Sequence, residues 1–246
     1  MKATFAQTSN VKRFLAGMGL VEKRGATEAS WMATIGDPGF GKTKTLQWWA
    51  AQNNAVYLRA KTNWSARWML SELVAELVGS ETAGSTKALF EIALRELARS
   101  QKAIVVDESW NMLHDAKLLE TLRDLSDLVE NPIILGGEKR VTNRLALRFP
   151  QIASRISEIV QFEAATVQDV RICCEALSEV PIADCLVAEI HRQSSGFYRE
   201  IKNAIARAES FGKRNAGKPV TAEDMKGQEL CRDRKAGLPS PRQQGR

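Results

Sequence analysis

Apolar residues in this chain recur with two spacings, one helical and one of strand length, and over most of its length the two take turns. Residues 8–20 (TSNVKRFLAGMGL) put Val11, Phe14, Leu15 and Met18 on one face of a predicted helix. A polar stretch follows, and residues 31–35 read as a short buried strand. Residues 44–52 (KTLQWWAAQ) predict a helix that Asn53-Asn54 ends, and residues 55–60 (AVYLRA) predict the next strand. Residues 65–78 place Leu70, Leu73, Val74 and Leu77 on one helical face. After a Gly/Ser/Thr loop, residues 87–100 do the same with Leu89, Phe90, Ala93, Leu94 and Leu97. Residues 103–106 (AIVV) are all apolar, as expected of a strand buried on both faces of a parallel sheet. A helix over 116–130 turns Leu118, Leu119, Leu122, Leu125 and Val129 inward and ends at Asn131-Pro132. Residues 133–135 are then a strand running into Gly136-Gly137. Strands alternating with helices give an α/β fold with a doubly wound parallel sheet.

The pattern changes after about residue 164, where only helices are predicted. Thr166 with Asp169 resembles a capping box, residues 184–193 and 197–211 give two more helices, and Thr221 with Asp224 opens a last short one. No internal repeat of fixed period is present. The expected organisation is an N-terminal arm over 1–28, a nucleotide-binding core over 29–163, an all-helical lid over 164–230 and a disordered basic tail over 231–246.

Of 246 residues, 44% are apolar and 26% charged, which is enough to bury a core and excludes a disordered chain. No run of 18 apolar residues occurs, so no membrane span is expected, and MKATFAQTSN lacks the apolar stretch of a secretory signal. The four cysteines form no CxxC pair and only two His are present, which argues against structural zinc and for reduced thiols in a cytoplasmic protein. The net charge of +6 suits a polyanionic partner without identifying one. In the tail, Arg232, Arg234, Lys235, Arg242 and Arg246 stand against Asp233 alone, suiting either a solubilising terminus or phosphate contact.

Residues 36–43 are Gly36, Asp37, Pro38, Gly39, Phe40, Gly41, Lys42 and Thr43, a G-x-x-x-x-G-K-T sequence between a predicted strand and a predicted helix. Glycines let the main chain curl so that its N–H groups converge on phosphate oxygens, and the helix N-terminus adds positive charge there. Lys42 reaches the β and γ phosphates, Lys44 follows directly, and the Thr43 hydroxyl suits Mg²⁺. Residues 103–108 (AIVVDE) put Asp107 and Glu108 at the carboxyl edge of the sheet, where ligands lie in such folds. Asp107 is expected to hold Mg²⁺ and Glu108 to activate water for ATP hydrolysis.

Together, GDPGFGKT, IVVDE and the helical second unit resemble the AAA+ ATPases. The resemblance implies further roles. Gly196 and Arg199, in SSGFYREI, match the G-x-x-R of sensor 2, whose arginine reaches the γ-phosphate from the lid. RFPQIASRI resembles the segment that offers an arginine finger to a neighbouring subunit, with Arg155 first and Arg148 second, although a salt bridge at the core edge would use the same residues. Sensor 1 departs from the family: the strand ends in Gly136, Gly137 and Glu138, so Glu138, Thr142 or a degraded site is expected, and hydrolysis is expected to be slow.

Within AAA+, the outline resembles the transposition ATPases: the B proteins of Mu-like transposable phages, TniB, TnsC and IstB. IGDPGFGKTKTLQWWA, VVDESWNML, ILGGEKR and RFPQIASRI look most like the phage B proteins. The resemblance departs from Mu B in one respect: no N-terminal helix-turn-helix is read in this sequence, so a separate DNA-binding domain is not expected. This resemblance implies a protein that forms an ATP-dependent homo-oligomeric filament or ring on double-stranded DNA in a bacterial host, captures target DNA and stimulates an integrase-type transposase. Arg59, Lys61 and Arg67 among Trp64 and Trp68, and Lys139, Arg140 and Arg144 further on, are candidate DNA contacts. Both sets would equally make a solvated face, with the tryptophans in the core. Helicase loaders and replication initiators share the outline, and a nucleotide-gated scaffold without DNA is the rival of another class.

Overall fold

The computed structural model describes residues 1–215 and 218–231. The basic tail expected from Arg232 onward lies outside them. The chain divides into two compact units, one of residues 10–163 and one of residues 1–9 with the chain from Ala164 on. The first 28 residues are therefore shared between the two units.

The larger unit runs α1 (Ser9–Glu22, from Asn10), β1 (Trp31–Ile35), α2 (Lys42–Gln52), β2 (Val56–Arg59), α3 (Ala66–Val78), α4 (Thr86–Ser100), β3 (Ile104–Asp107), a 3-10 turn (Ser109–Met112), α5 (Ala116–Val129), β4 (Ile133–Gly137), α6 (Arg140–Arg148), α7 (Pro150–Ala153) and β5 (Ile156–Gln161). The five strands are parallel in the order β2-β3-β4-β1-β5. Alternation along each strand sends one set of residues to each face. Trp31, Val56, Leu58, Ile104, Val106, Ile133 and Leu135 meet α3, α4 and α5 on one face. Met32, Val105, Ile134 and Val160 meet Phe14, Met18, Leu46 and Trp49 of α1 and α2 on the other. This two-sided cover is why residues 103–106 are uniformly apolar.

Local caps agree with the sequence. Ser65 and Ser85 accept hydrogen bonds from the backbone of Trp68 and Ala88, and the Asp115 side chain caps α5. Two expectations need correction. Leu15 is 36% exposed, because α1 presents a narrower face to the sheet than its apolar spacing suggests. Sequence periodicity gave no element between Glu138 and Glu163, yet α6, α7 and β5 lie there. Strand β5 reads half polar because it is a sheet edge, with Ser157 and Ile159 exposed.

The smaller unit holds α8 (Val167–Leu177), α9 (Asp184–Ser194) and α10 (Tyr198–Arg214) around Val170, Leu186, Ile190, Ile201 and Ile205. Thr166 and Asp169 form the capping box, and Asp169 also accepts from Ser9 N and Ser9 Oγ at 2.7 Å each. Desolvation would raise the Asp169 pKa, but hydrogen bonds from the Ser9 and Thr166 backbones hold it below the usual range. Among the described residues no helix follows Thr221. Thr221 and Asp224 do exchange hydrogen bonds at 2.7 to 3.2 Å, but the chain continues as turns that end near Gly227 at φ 78°. The unit is also not purely helical, since Ile182 and Val220 form a parallel bridge. Among the described residues no helix is long and apolar enough to cross a membrane.

Candidate functional site

The loop between β1 and α2 curls as the G-x-x-x-x-G-K-T sequence requires. Gly41 caps α2 with φ 92°, and Gly39 has the same φ, a left-handed conformation that side chains oppose. No side chain caps α2, so its first N–H groups are left for an anion. Lys42 Nζ donates to the carbonyls of Gly36 (2.7 Å) and Asp37 (3.0 Å). Desolvation lowers the Lys42 pKa, opposed by Asp107, Glu108, Glu138 and Asp37. Thr43 is half-buried in the first turn, and Lys44 is exposed with Nζ 3.3 Å from Gln47 Oε1. Asp37 and Pro38 are exposed and Phe40 is half-buried.

Two strands away, β3 ends at Asp107, only 2% exposed. Its Oδ1 accepts the Glu108 N–H and its Oδ2 the Tyr57 hydroxyl, at 2.9 Å each. Burial and the neighbouring Asp107 push the Tyr57 pKa up, so the phenol remains a donor. Between loop and carboxylate stands Gly136 at the end of β4. A Cβ there would lie 2.4 Å from Leu46 Cδ1 and 3.0 Å from Asp107 Oδ1. This glycine therefore lets α2 and β3 close on each other. Glu138 pairs with Arg140 at 3.1 Å, and the Thr142 hydroxyl donates to the Lys139 carbonyl at 3.0 Å.

Glu108 adopts φ 53°. Its Oε2 accepts the Trp110 indole N–H at 3.0 Å, and its Oε1 lies 3.7 Å from the Arg59 guanidinium. A curled anion-binding loop, a cation turned toward it and a buried carboxylate are chemically suited to a nucleoside triphosphate with magnesium. Thr43 and Asp107 could offer oxygens to such a metal.

The remaining candidates fall in different places. Arg155 is paired in both directions to Asp127, Nε to Oδ1 and Nη2 to Oδ2 at 2.8 Å each, which raises its pKa. Arg148 is exposed at the end of α6 with no ion pair among the described residues. Arg199 belongs to the smaller unit, exposed in the first turn of α10, and Gly196 precedes it at φ 76°. Lys61 pairs with Glu72 and lies over the rings of Trp64 (5.9 Å) and Trp68 (5.2 Å). Arg67 donates to the Gly84 carbonyl at 3.1 Å. Trp64 is a core residue at 1% exposure, whereas Trp68 is 43% exposed. Lys139, Arg140 and Arg144 are exposed around the start of α6. Tyr57 and Trp110 escape sequence reasoning because nothing in their spacing marks a hydrogen bond to a carboxylate on another element.

Residues 26–145 match the family model described as an AAA domain. No curated protein matches the chain. Among solved structures, the chain is similar to Cdc6p from Pyrobaculum aerophilum at 14% identity and TM-score 0.64, covering 92% of this chain and 66% of that one. It is similar to the Aeropyrum pernix ORC2 protein with ADPNP and ADP at 15% identity and TM-score 0.61, covering 87% and 63%. The Aeropyrum pernix ORC1 protein in complex with DNA gives 17% identity and TM-score 0.59, covering 88% and 62%. The chain thus spans less than two thirds of each of these proteins. At such identities the likeness is one of fold.

Proposed function

From the AAA-family P-loop ATPase domain at residues 26–145, we propose an ATP-dependent DNA-binding protein that assembles on duplex DNA, captures it as a target and activates an integrase-type transposase. The observation that carries the ATPase half is that Lys42, held by the curled loop, lies within the field of the Asp107 and Glu108 carboxylates. Bound there, ATP supplies the phosphoryl group and magnesium the neutralising charge. Lys42 exchanges the carbonyls of Gly36 and Asp37 for phosphate oxygens, and the α2 N–H groups orient them. Thr43 and Asp107 would hold the metal, and Tyr57 fixes the Asp107 carboxylate. Glu108 accepts the proton of the attacking water.

Arg199 serves as sensor 2. Arg155 serves as the finger only after exchanging Asp127 for a neighbouring subunit's phosphate, and Arg148 has no such bond to give up. Arg59, Lys61, Arg67, Lys139 and Arg140 supply phosphate contacts that do not read sequence, as a target-capture protein needs. Cytoplasmic location belongs to the same reading.

A second reading, a replication initiator or helicase loader, draws on the fold shared with ORC1, ORC2 and Cdc6p. DNA-stimulated hydrolysis that Glu108→Gln abolishes while ATP binding persists supports the ATPase reading. Stimulation of strand transfer by a cognate transposase, rather than helicase loading, selects between the two.

A further inference from the structure

We propose that Trp110 is a positioning residue through which a phosphodiester strand on the basic face of α6 acts on Glu108, an inference that rests on the ATPase and DNA-binding reading above. Trp110 sits on the 3-10 turn just past the acidic strand tip. Its indole N–H donates to Glu108 Oε2 at 3.0 Å. Its ring lies beneath Arg140, whose Cζ is 4.5 Å from the ring centroid. The same ring walls a groove of 330 Å³ that Leu113, Arg144 and Arg148 continue.

The groove fits a polyanion. Arg140, Arg144 and Arg148 are four residues apart, so they share one stripe of α6 and span about 12 Å of its axis. Arg144 and Arg148 make no ion pair among the described residues. Among the described residues the one ion pair of Arg140 is with Glu138, an exposed pair that phosphate oxygens outcompete.

The link to Glu108 follows from what its carboxylate already does. One oxygen accepts the indole N–H and the other faces Arg59, so protein donors occupy the group that must take a proton from water. The left-handed backbone at Glu108, φ 53°, persists only while its surroundings hold it. A strand that draws Arg140 off the ring removes the cation pinning the indole. The indole then turns and releases Oε2.

The test uses the full chain with ATP and magnesium, with and without mixed-sequence duplex DNA. Trp110→Phe keeps a ring beneath Arg140 and removes the N–H donor. The expected result is a DNA-free kcat about tenfold higher, as for loss of one hydrogen bond to a charged group. KM for ATP and DNA affinity stay unchanged, and stimulation by DNA falls toward one. Arg140→Ala, on the surface, raises DNA-free kcat in the same direction while weakening DNA binding. Wild-type rates in Trp110→Phe, or an equal loss with and without DNA, overturn the coupling alone. Stimulation by poly-glutamate but not by DNA overturns the choice of occupant. A wild type that neither hydrolyses ATP nor binds DNA brings down the underlying reading and this one with it.

Discussion

Arg155 and Asp127 form a two-pronged ion pair, with both nitrogen-to-oxygen distances at 2.8 Å. The pair ties the start of β5 to α5, so Arg155 has a structural task before any role toward a neighbour. Arg155→Ala is expected to cost about 1 kcal/mol, at the upper end for a partly exposed pair, read as a lower urea midpoint. Arg148→Ala is expected to leave the midpoint within about 0.5 kcal/mol of wild type while lowering the hydrolysis rate of the assembled form. A large stability loss from Arg148→Ala would contradict its free position.

Lys42→Ala removes the cation that the proposed mechanism turns toward the phosphates. The expected loss is about 3 kcal/mol, roughly a hundredfold in Kd for ATP by calorimetry, and assembly on DNA should disappear with it. Filaments that form on DNA without nucleotide would show that binding and assembly are not coupled.

Glu108→Gln keeps the shape of the site and its hydrogen bond from Trp110 but can no longer accept a proton. Hydrolysis should fall by about 10² to 10⁴, with ATP affinity close to wild type. Unchanged turnover in a single-turnover assay would move the general base elsewhere.

Salt is a direct probe of the basic surfaces. DNA affinity should fall linearly on logarithmic axes as salt rises, and removing one phosphate-contacting cation such as Lys139 should reduce the slope by about one. A Lys139→Ala protein with the wild-type slope would take that residue out of the contact set.

Asp169 joins Ser9 to the capping box of α8 with hydrogen bonds that favour its charged form. Its folded pKa is depressed, so its contribution is complete above the ordinary carboxylate range and is lost as pH falls below it. Asp169→Asn should cost about 1 to 2 kcal/mol at neutral pH, and the gap should narrow as pH falls below the ordinary carboxylate range, followed by thermal melts. A gap that persists at low pH would mean that packing, not charge, explains the cost.

The sequence by itself determined the α/β alternation, the phosphate loop, the acidic strand tip and the cap at Thr166. Each is a local matter: periodicity selects helix or strand, glycine permits positive φ, and a short polar side chain reaches its own backbone. Tertiary structure alone decided the rest. The half-polar edge strand β5, the hydrogen bonds of Tyr57 to Asp107 and Trp110 to Glu108, the Arg155–Asp127 pair and the close approach at Gly136 all join residues far apart or on different elements. Which side chains meet across a sheet depends on strand order and register, and periodicity within a segment carries no information about either.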